Sequence, residues 1–281
     1  MKVGEAKELL EDFPDDADLY LWIKTEGHRV MCTPQSFCLN PNKTGVGINL
    51  KQLLSMIDDL IKILELFAGT RSIGKAFEAA GHEVYSIEWD KKHENIDWYA
   101  DISKIQAHDI LTRFGRPDVI WASPDCTSYS IAAISHHRTR EPDGNLMAKS
   151  EYASFCDLTN QHVLKLIKDL NPRLYFIENP RGGLRKMKFM QQLPRYTVTY
   201  CQYGDTRMKP TDIWTNHPDP QFKPPCKNGA PCHVAAPRGS QTGTQGIKGS
   251  VDRSRIPKEL CEHIAKISEE YVTSGSLKKV N

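Results

Sequence analysis

From Ile61 onward the chain alternates short, continuous apolar runs with segments of helical period. IKILELFAG reads as a buried strand, SIGKAFEAAG as an amphipathic helix closed by Gly81, and HEVYSIEWD as a second strand. PDVIWASP is another buried strand. ASFCDLTNQHVLKLIKDL is a helix that Asn171 and Pro172 end, and RLYFIEN is a further strand. YTVTYCQYG and TDIWTN predict later strands, and IPKELCEHIAKISEEYV predicts a closing helix with Pro257 at its start. Strands alternating with helices predict an α/β fold built on a doubly wound, Rossmann-like sheet.

The ends of this pattern differ from its middle. Residues 1–60 hold an acidic helix candidate (EAKELLEDF), two strand candidates (ADLYLWIKT and HRVMCT), a loop from Pro34 to Gly47, and a helix candidate, LKQLLSMIDDLIK. They carry no recognisable chemistry and are read as an N-terminal extension. Residues 61–216 form the expected catalytic and cofactor-binding domain. Residues 217–250, rich in Pro, Gly, Ser and Lys, form a short irregular recognition segment, and residues 251–281 return to the core as a helix.

Composition narrows the class without naming it. With 39% hydrophobic and 26% charged residues the chain reads as soluble and globular. No apolar run has the length of a membrane span, and the charged start lacks a secretory pattern, so a cytosolic protein without a membrane partner is expected. The 8 cysteines, irregularly spaced, read as free thiols. Net charge is +2, yet residues 181–258 hold 14 Lys or Arg against 4 Asp or Glu. That asymmetry suggests a basic surface for a polyanion; a merely solvated basic face is the alternative.

Two groups of residues carry candidate chemistry. In ELFAGTRSIG, small residues between a strand and a helix let backbone amides approach a ligand. The next strand ends in Glu88-Trp89, a carboxylate suited to ribose hydroxyls beside a flat face suited to adenine, and Asp101-Ile102 follows. The structural alternative makes Trp89 a core aromatic and Asp101 a helix cap. Further on, WASPDCTSYS puts Cys126 in a loop after a buried strand, and FIENP puts Glu178 at the end of another. A Cys with a Glu and no Cys-His-Asn pattern argues against a protease. It suits thiolate addition to carbon 6 of a pyrimidine while an acid withdraws charge from ring N3.

Over about residues 61–271 these motifs resemble the DNA cytosine-5 methyltransferase family. FAGTRSIG resembles its S-adenosylmethionine motif, with Phe67 and Gly69 at matching positions. The resemblance implies that Phe67, Ala68, Gly69, Thr70, Arg71, Ser72, Ile73, Glu88, Trp89, Asp101, Ile102 and Pro124 contact that cofactor. SPDCTSYS is similar to the family's catalytic loop and implies Cys126 as nucleophile; IENP implies Glu178 at ring N3. Two family arginines find Arg207 and Lys209 in QYGDTRMKPTDIWTN, implying that these hold the catalytic loop and a target phosphate.

The departures from that pattern carry expectations of their own. Asp125 stands where the family usually has a second Pro, which predicts a raised thiol pKa at Cys126. Lys209 lacks the fork of an arginine. The family's closing Asn motif is poorly matched by RSRIP, Arg253 to Pro257.

The resemblance implies methyl transfer from S-adenosylmethionine to carbon 5 of cytosine in double-stranded DNA, by a monomer. An RNA acceptor, or transfer of a modified one-carbon group admitted by the cation at Arg71, are the alternatives. Arg238, Lys248, Arg253 and Arg255 are the expected phosphate contacts. PPCKNGAPCH offers Cys226, Cys232 and His233, with His217 upstream, but the C-x5-C-H spacing is unlike paired zinc ligands, and no metal is expected.

Overall fold

The structure, a computed structural model, describes residues 21–25, 28–32, 60–227, 229–235 and 249–277. The helix candidate EAKELLEDF, the loop from Pro34 to Gly47, residues 50–59 of the candidate LKQLLSMIDDLIK, and Arg238 and Lys248 lie outside the described residues, while Lys62 at the end of that second candidate is strand. The chain divides into two units, 1–60 and 61–281. The first contains an antiparallel pair, β1 (Leu21–Thr25) and β2 (His28–Cys32), with Thr25 opposite His28.

The second unit is built on a 7-stranded sheet. Its strands are β3 (Lys62–Leu66), β4 (Glu83–Glu88), β5 (Trp98–Tyr99), β6 (Val119–Ala122), β9 (Leu174–Pro180), β10 (Arg195–Thr199) and β11 (Pro210–Thr215). A small antiparallel pair, β7 (Arg138–Arg140) and β8 (Leu146–Ala148), stands outside it. The order is β10-β11-β9-β6-β3-β4-β5. The strands from β5 to β9 pair in parallel, while β11 runs antiparallel to both β9 and β10. Chain order reverses direction across the sheet between β3 and β6, and ligands in such sheets bind beyond the carboxyl ends of the strands near that point.

Both faces are covered, which is why the parallel strands read as unbroken apolar runs. Leu64, Ile120 and Ile177 face one side and pack with Ile110 of α2 (Ala107–Arg113) and Val163 and Leu166 of α4 (Glu151–Leu170). Ile63, Val119, Trp121 and Phe176 face the other and pack with Ile73 and Phe77 of α1 (Ser72–Ala79) and Leu260 and Ile264 of α6 (Lys258–Leu277). Each such side chain contributes about 1.5–3 kcal/mol by leaving water, so the strands are fixed by two layers at once. Two shorter helices, α3 (Ile134–His137) and α5 (Ser250–Ser254), complete the elements.

Local signals place the boundaries. Ser150 accepts a hydrogen bond from the Ala153 amide at 3.1 Å and starts α4 at Glu151, two residues before the sequence pattern does. Asn171 ends it in the left-handed conformation, φ 46. In YTVTYCQYG only the first half is strand: Tyr200–Tyr203 coil into a 3-10 turn closed by Gly204 at φ 83. Within this turn Tyr200, Cys201 and Tyr203 are all buried, so it packs against the core rather than extending the strand.

Candidate active site

The glycine turn after β3 is held from within the sheet. Glu65, 2% exposed, accepts from the Gly74 amide at 3.0 Å and so occupies the N-terminal end of α1. Burial pushes its carboxyl up to about 7, against the opposing hydrogen bond from Gly74 and the charge of Arg71. A Cβ at Gly74 would stand 2.5 Å from the other Glu65 oxygen, so only glycine admits this contact. Sequence reading missed Glu65, although a carboxylate inside an apolar strand run was the signal.

Arg71 adopts the left-handed conformation and turns inward. It is 7% exposed and paired with Glu78, so its charge is not presented as a free cation. Phe67 and Gly69 are left-handed as well, φ 56 and 50, and give the turn its close-approach backbone. Ala68 donates to the Ile87 carbonyl at 3.1 Å; Thr70 and Ser72 share a hydroxyl hydrogen bond at 2.8 Å; Ile73 is buried in the core. The Ile256 amide reaches Ser72 Oγ at 3.4 Å, so the Arg253 to Pro257 stretch does lie against this turn despite its poor motif.

Glu88 ends β4 with its carboxylate fixed by three backbone donors: Gly69 at 3.0 Å, Trp89 at 2.9 Å and Asp90 at 3.0 Å. Trp89 is 68% exposed, so it is a free aromatic face at the sheet edge and not a core residue. Asp101 accepts from the Ser103 amide and hydroxyl at 3.0 and 2.7 Å and pairs with Lys104; together these outweigh burial and hold its carboxyl below its ordinary value. Ile102 is buried beside it. The residues therefore fit an adenosyl ligand: a positioned carboxylate, an uncovered indole and a glycine turn on one strand edge.

Cys126 lies in the loop after β6, half-buried, and the loop is anchored on three sides. Asn179 of β9 donates to the Pro124 carbonyl at 2.9 Å. The Gly183 amide donates to the Tyr129 carbonyl at 2.7 Å, and a Cβ at Gly182 would meet that same oxygen at 2.5 Å. Arg138, 4% exposed, donates to the Ser128 carbonyl at 2.9 Å, pairs with Asp157 at 2.8 Å and lies 4.1 Å over the Tyr129 ring. Sequence reading found none of these anchors.

Burial, then the charges of Asp125 and Glu178, push the Cys126 thiol up to about 11, with Lys209 opposing. The Asp125 effect was legible in the sequence; the larger effect of burial was not. Glu178 is buried and raised above its ordinary range by desolvation, which Lys209, Tyr200 and Ser123 counter. Tyr200 donates its hydroxyl to Glu178 Oε1 at 3.1 Å, a partner the sequence did not suggest. The Lys209 ammonium sits 4.5 Å over the Tyr200 ring and donates to the Arg253 carbonyl at 2.8 Å. Burial lowers its pKa, with Glu178 opposing.

Arg207 is taken up elsewhere. Its guanidinium binds Asp205 at 2.9 and 3.0 Å and the Asp252 carbonyl at 3.3 Å. The structure thus brings Cys126, Glu178 and Lys209 together as electrostatic neighbours, and leaves Arg207 tied to Asp205 and the Asp252 carbonyl. Arg253 and Arg255 are exposed, and Arg255 pairs with Asp252 at 3.2 Å. His217 packs on the Tyr271 ring at 5.1 Å. Cys226, Cys232 and His233 are joined by Cys201, which sequence spacing had left out. Among the described residues no helix is long and apolar enough to cross a membrane.

The family of C-5 cytosine-specific DNA methylases matches residues 61–196. A curated relative, a probable DNA (cytosine-5)-methyltransferase of Frog virus 3 (isolate Goorha), is 30% identical over 170 residues, 56% of this chain and 71% of its own. Two solved structures are similar at 16% identity. One is a putative DNA modification methyltransferase encoded within an E. coli prophage, TM-score 0.42 over 55% of this chain and 46% of that one. The other is the Dnmt2 methyltransferase of S. pombe, TM-score 0.38 over 55% and 48%. The chain spans about half the length of these structures.

Proposed function

The chain belongs to the C-5 cytosine-specific DNA methylases and is a DNA cytosine-5 methyltransferase, and from that premise we propose a covalent mechanism, centred on Cys126, with S-adenosylmethionine as methyl donor. The acceptor we infer is cytosine in double-stranded DNA, and the active species a monomer in the cytosol. The observation that carries this reading is the electrostatic proximity of Cys126, in the loop after β6, Glu178, near the end of β9, and Lys209, just before β11.

S-adenosylmethionine, when bound, supplies an electrophilic methyl group, and Glu88, Trp89, Asp101 and the Phe67 to Ile73 turn are the residues that would hold it. Cys126 loses its proton to solvent and its sulfur bonds to carbon 6 of the base. The electron pair displaced from the ring settles on N3, which takes a proton from Glu178, whose burial-raised pKa favours the protonated, donating form. Tyr200 orients the Glu178 carboxyl. Lys209 provides positive charge as the thiolate forms. Once carbon 5 carries the methyl group, transfer of its proton to a solvent base leaves the bonding pair to form the carbon 5–carbon 6 double bond and expels the Cys126 thiolate. A stacked base cannot offer carbon 6 and N3 to these side chains, so the target must leave the helix, at a cost of a few kcal/mol.

A duplex carrying 5-fluorocytosine tests this directly, because carbon 5 then has no proton to lose. The expected result is a denaturation-resistant protein–DNA adduct that requires S-adenosylmethionine and is lost in Cys126→Ser. Methylation of ordinary duplex with no adduct on the fluorinated one would rule out addition at carbon 6, and labelling of RNA in place of duplex DNA would overturn the acceptor.

A further inference from the structure

Four side chains outside the methyl-transfer site converge on one point, and the reading above does not use them. Cys201 lies in the turn after β10, while Cys226, Cys232 and His233 lie in the segment after β11. Their ligand atoms all fall within 4.8 Å of one another. Cys201 Sγ is 3.1 Å from Cys226 Sγ and 3.6 Å from Cys232 Sγ; His233 Nδ1 is 3.7 Å from Cys226 Sγ and 3.6 Å from Cys232 Sγ.

We propose that these residues form a structural zinc site of the Cys3His type. With Zn–S near 2.3 Å and Zn–N near 2.0 Å, a tetrahedron has ligand-to-ligand edges of about 3.8 Å (S to S) and about 3.5 Å (S to N). The observed S-to-S edges, 3.1 and 3.6 Å, are shorter than the tetrahedral value, and the S-to-N edges, 3.7 and 3.6 Å, are slightly longer, so small side-chain shifts would seat the ion. Thiolates and an imidazole form the donor set that selects zinc over hard cations. The three thiols release their protons on binding, and four protein ligands leave no open position, so the metal is structural and not catalytic.

The surroundings fit this role. The Cys226 amide donates to Thr199 Oγ1 at 2.9 Å, Gln202 Nε2 approaches Cys232 Sγ at 3.5 Å, and the Val234 amide donates to the Thr206 carbonyl at 2.8 Å. The ligands come from positions 25 and 31 residues apart, and a bond across such loops removes freedom from the unfolded chain. The site would fasten Cys226, Cys232 and His233, within the expected recognition segment, to the β10–β11 connection. That connection also carries Tyr200, which meets Glu178, and Lys209, which neighbours Cys126. The metal would therefore fix where the recognition segment begins relative to the reacting groups.

Elemental analysis of the full chain, purified without chelator, should find about one equivalent of zinc. Cobalt replacement should give the visible bands of a tetrahedral ion with intense sulfur-to-metal absorption in the near ultraviolet. Cys232→Ser, at an exposed ligand, should lower zinc content well below one equivalent, whereas Cys156→Ser should retain it. Both measurements on the wild-type protein stand even if the Cys232 variant folds poorly. Metal-free wild-type protein with no cobalt spectrum after reconstitution overturns the proposal. So does a Cys201–Cys226 disulfide found by mass spectrometry in freshly purified protein, or a folded Cys232→Ser variant that keeps a full equivalent.

Discussion

Asn179 donates a side-chain hydrogen bond to the carbonyl of Pro124 across 2.9 Å, joining the strand that carries Glu178 to the loop that carries Cys126. Asn179 is fully buried, and its Pro124 partner lies on the neighbouring parallel strand's exit. The two side chains proposed to react are thus linked through a fully buried residue. Asn179→Ala leaves a buried carbonyl unpaired, and should cost about 1–3 kcal/mol of stability in urea unfolding. It should also lower kcat more than it weakens cofactor binding. Unchanged turnover in a folded variant would remove Asn179 as a positioning residue.

The Cys126 thiol, pushed up to about 11 mainly by burial, is about one part in 10^4 ionised at pH 7 in the free protein. Alkylation of the Cys126 peptide by iodoacetamide, followed by mass spectrometry, should be much slower than for free cysteine at pH 7. It should rise about tenfold per pH unit up to about pH 10. Lys209→Met removes the cation that lowers this pKa and should slow alkylation further. A rate at pH 7 equal to that of free cysteine would show that the thiol is already activated without DNA.

Glu88 has two tasks in the structure, since the carboxylate proposed to bind ribose also pins the amides of Gly69, Trp89 and Asp90. Glu88→Ala should therefore weaken S-adenosylmethionine binding by about 1.5–3 kcal/mol and lower the melting temperature of the ligand-free protein as well. Trp89→Ala removes an exposed ring and should weaken binding with little effect on melting. Calorimetry showing unchanged affinity in both variants would move the cofactor away from this edge.

Glu65 gives a pH dependence of stability with a definite sign. Its carboxyl is raised from an ordinary 4.5 to about 7, so between those values the folded chain holds a proton that the unfolded chain has released. The stability it contributes is full below about pH 4.5 and is lost as pH rises through about 7. The stability of Glu65→Gln relative to wild type should consequently improve by up to about 3 kcal/mol between pH 4.5 and pH 8, measured by urea unfolding. A difference independent of pH would mean that Glu65 is not protonated in the folded state.

The sequence by itself determined the α/β class and the main strands and helices from residue 61, though not α2, α3, α5 or the β7–β8 pair, and it pointed to the two candidate half-sites, since each depends on local pattern. Apolar runs buried on two faces, a glycine turn before a helix, and Cys126 and Glu178 at strand ends are all readable within a window of ten residues. What only the tertiary structure decided depends on contacts between distant segments. Burial of Cys126, more than the adjacent Asp125, raises its thiol; Tyr200 and Lys209 reach Glu178 from the β10–β11 connection; and Arg71 turns inward to Glu78. The Cys201 to His233 cluster shows why most clearly. Its spacing along the chain resembles no ligand pattern, because the missing thiol comes from the turn after β10, against which the segment after β11 folds back with the Cys226 amide bonded to Thr199.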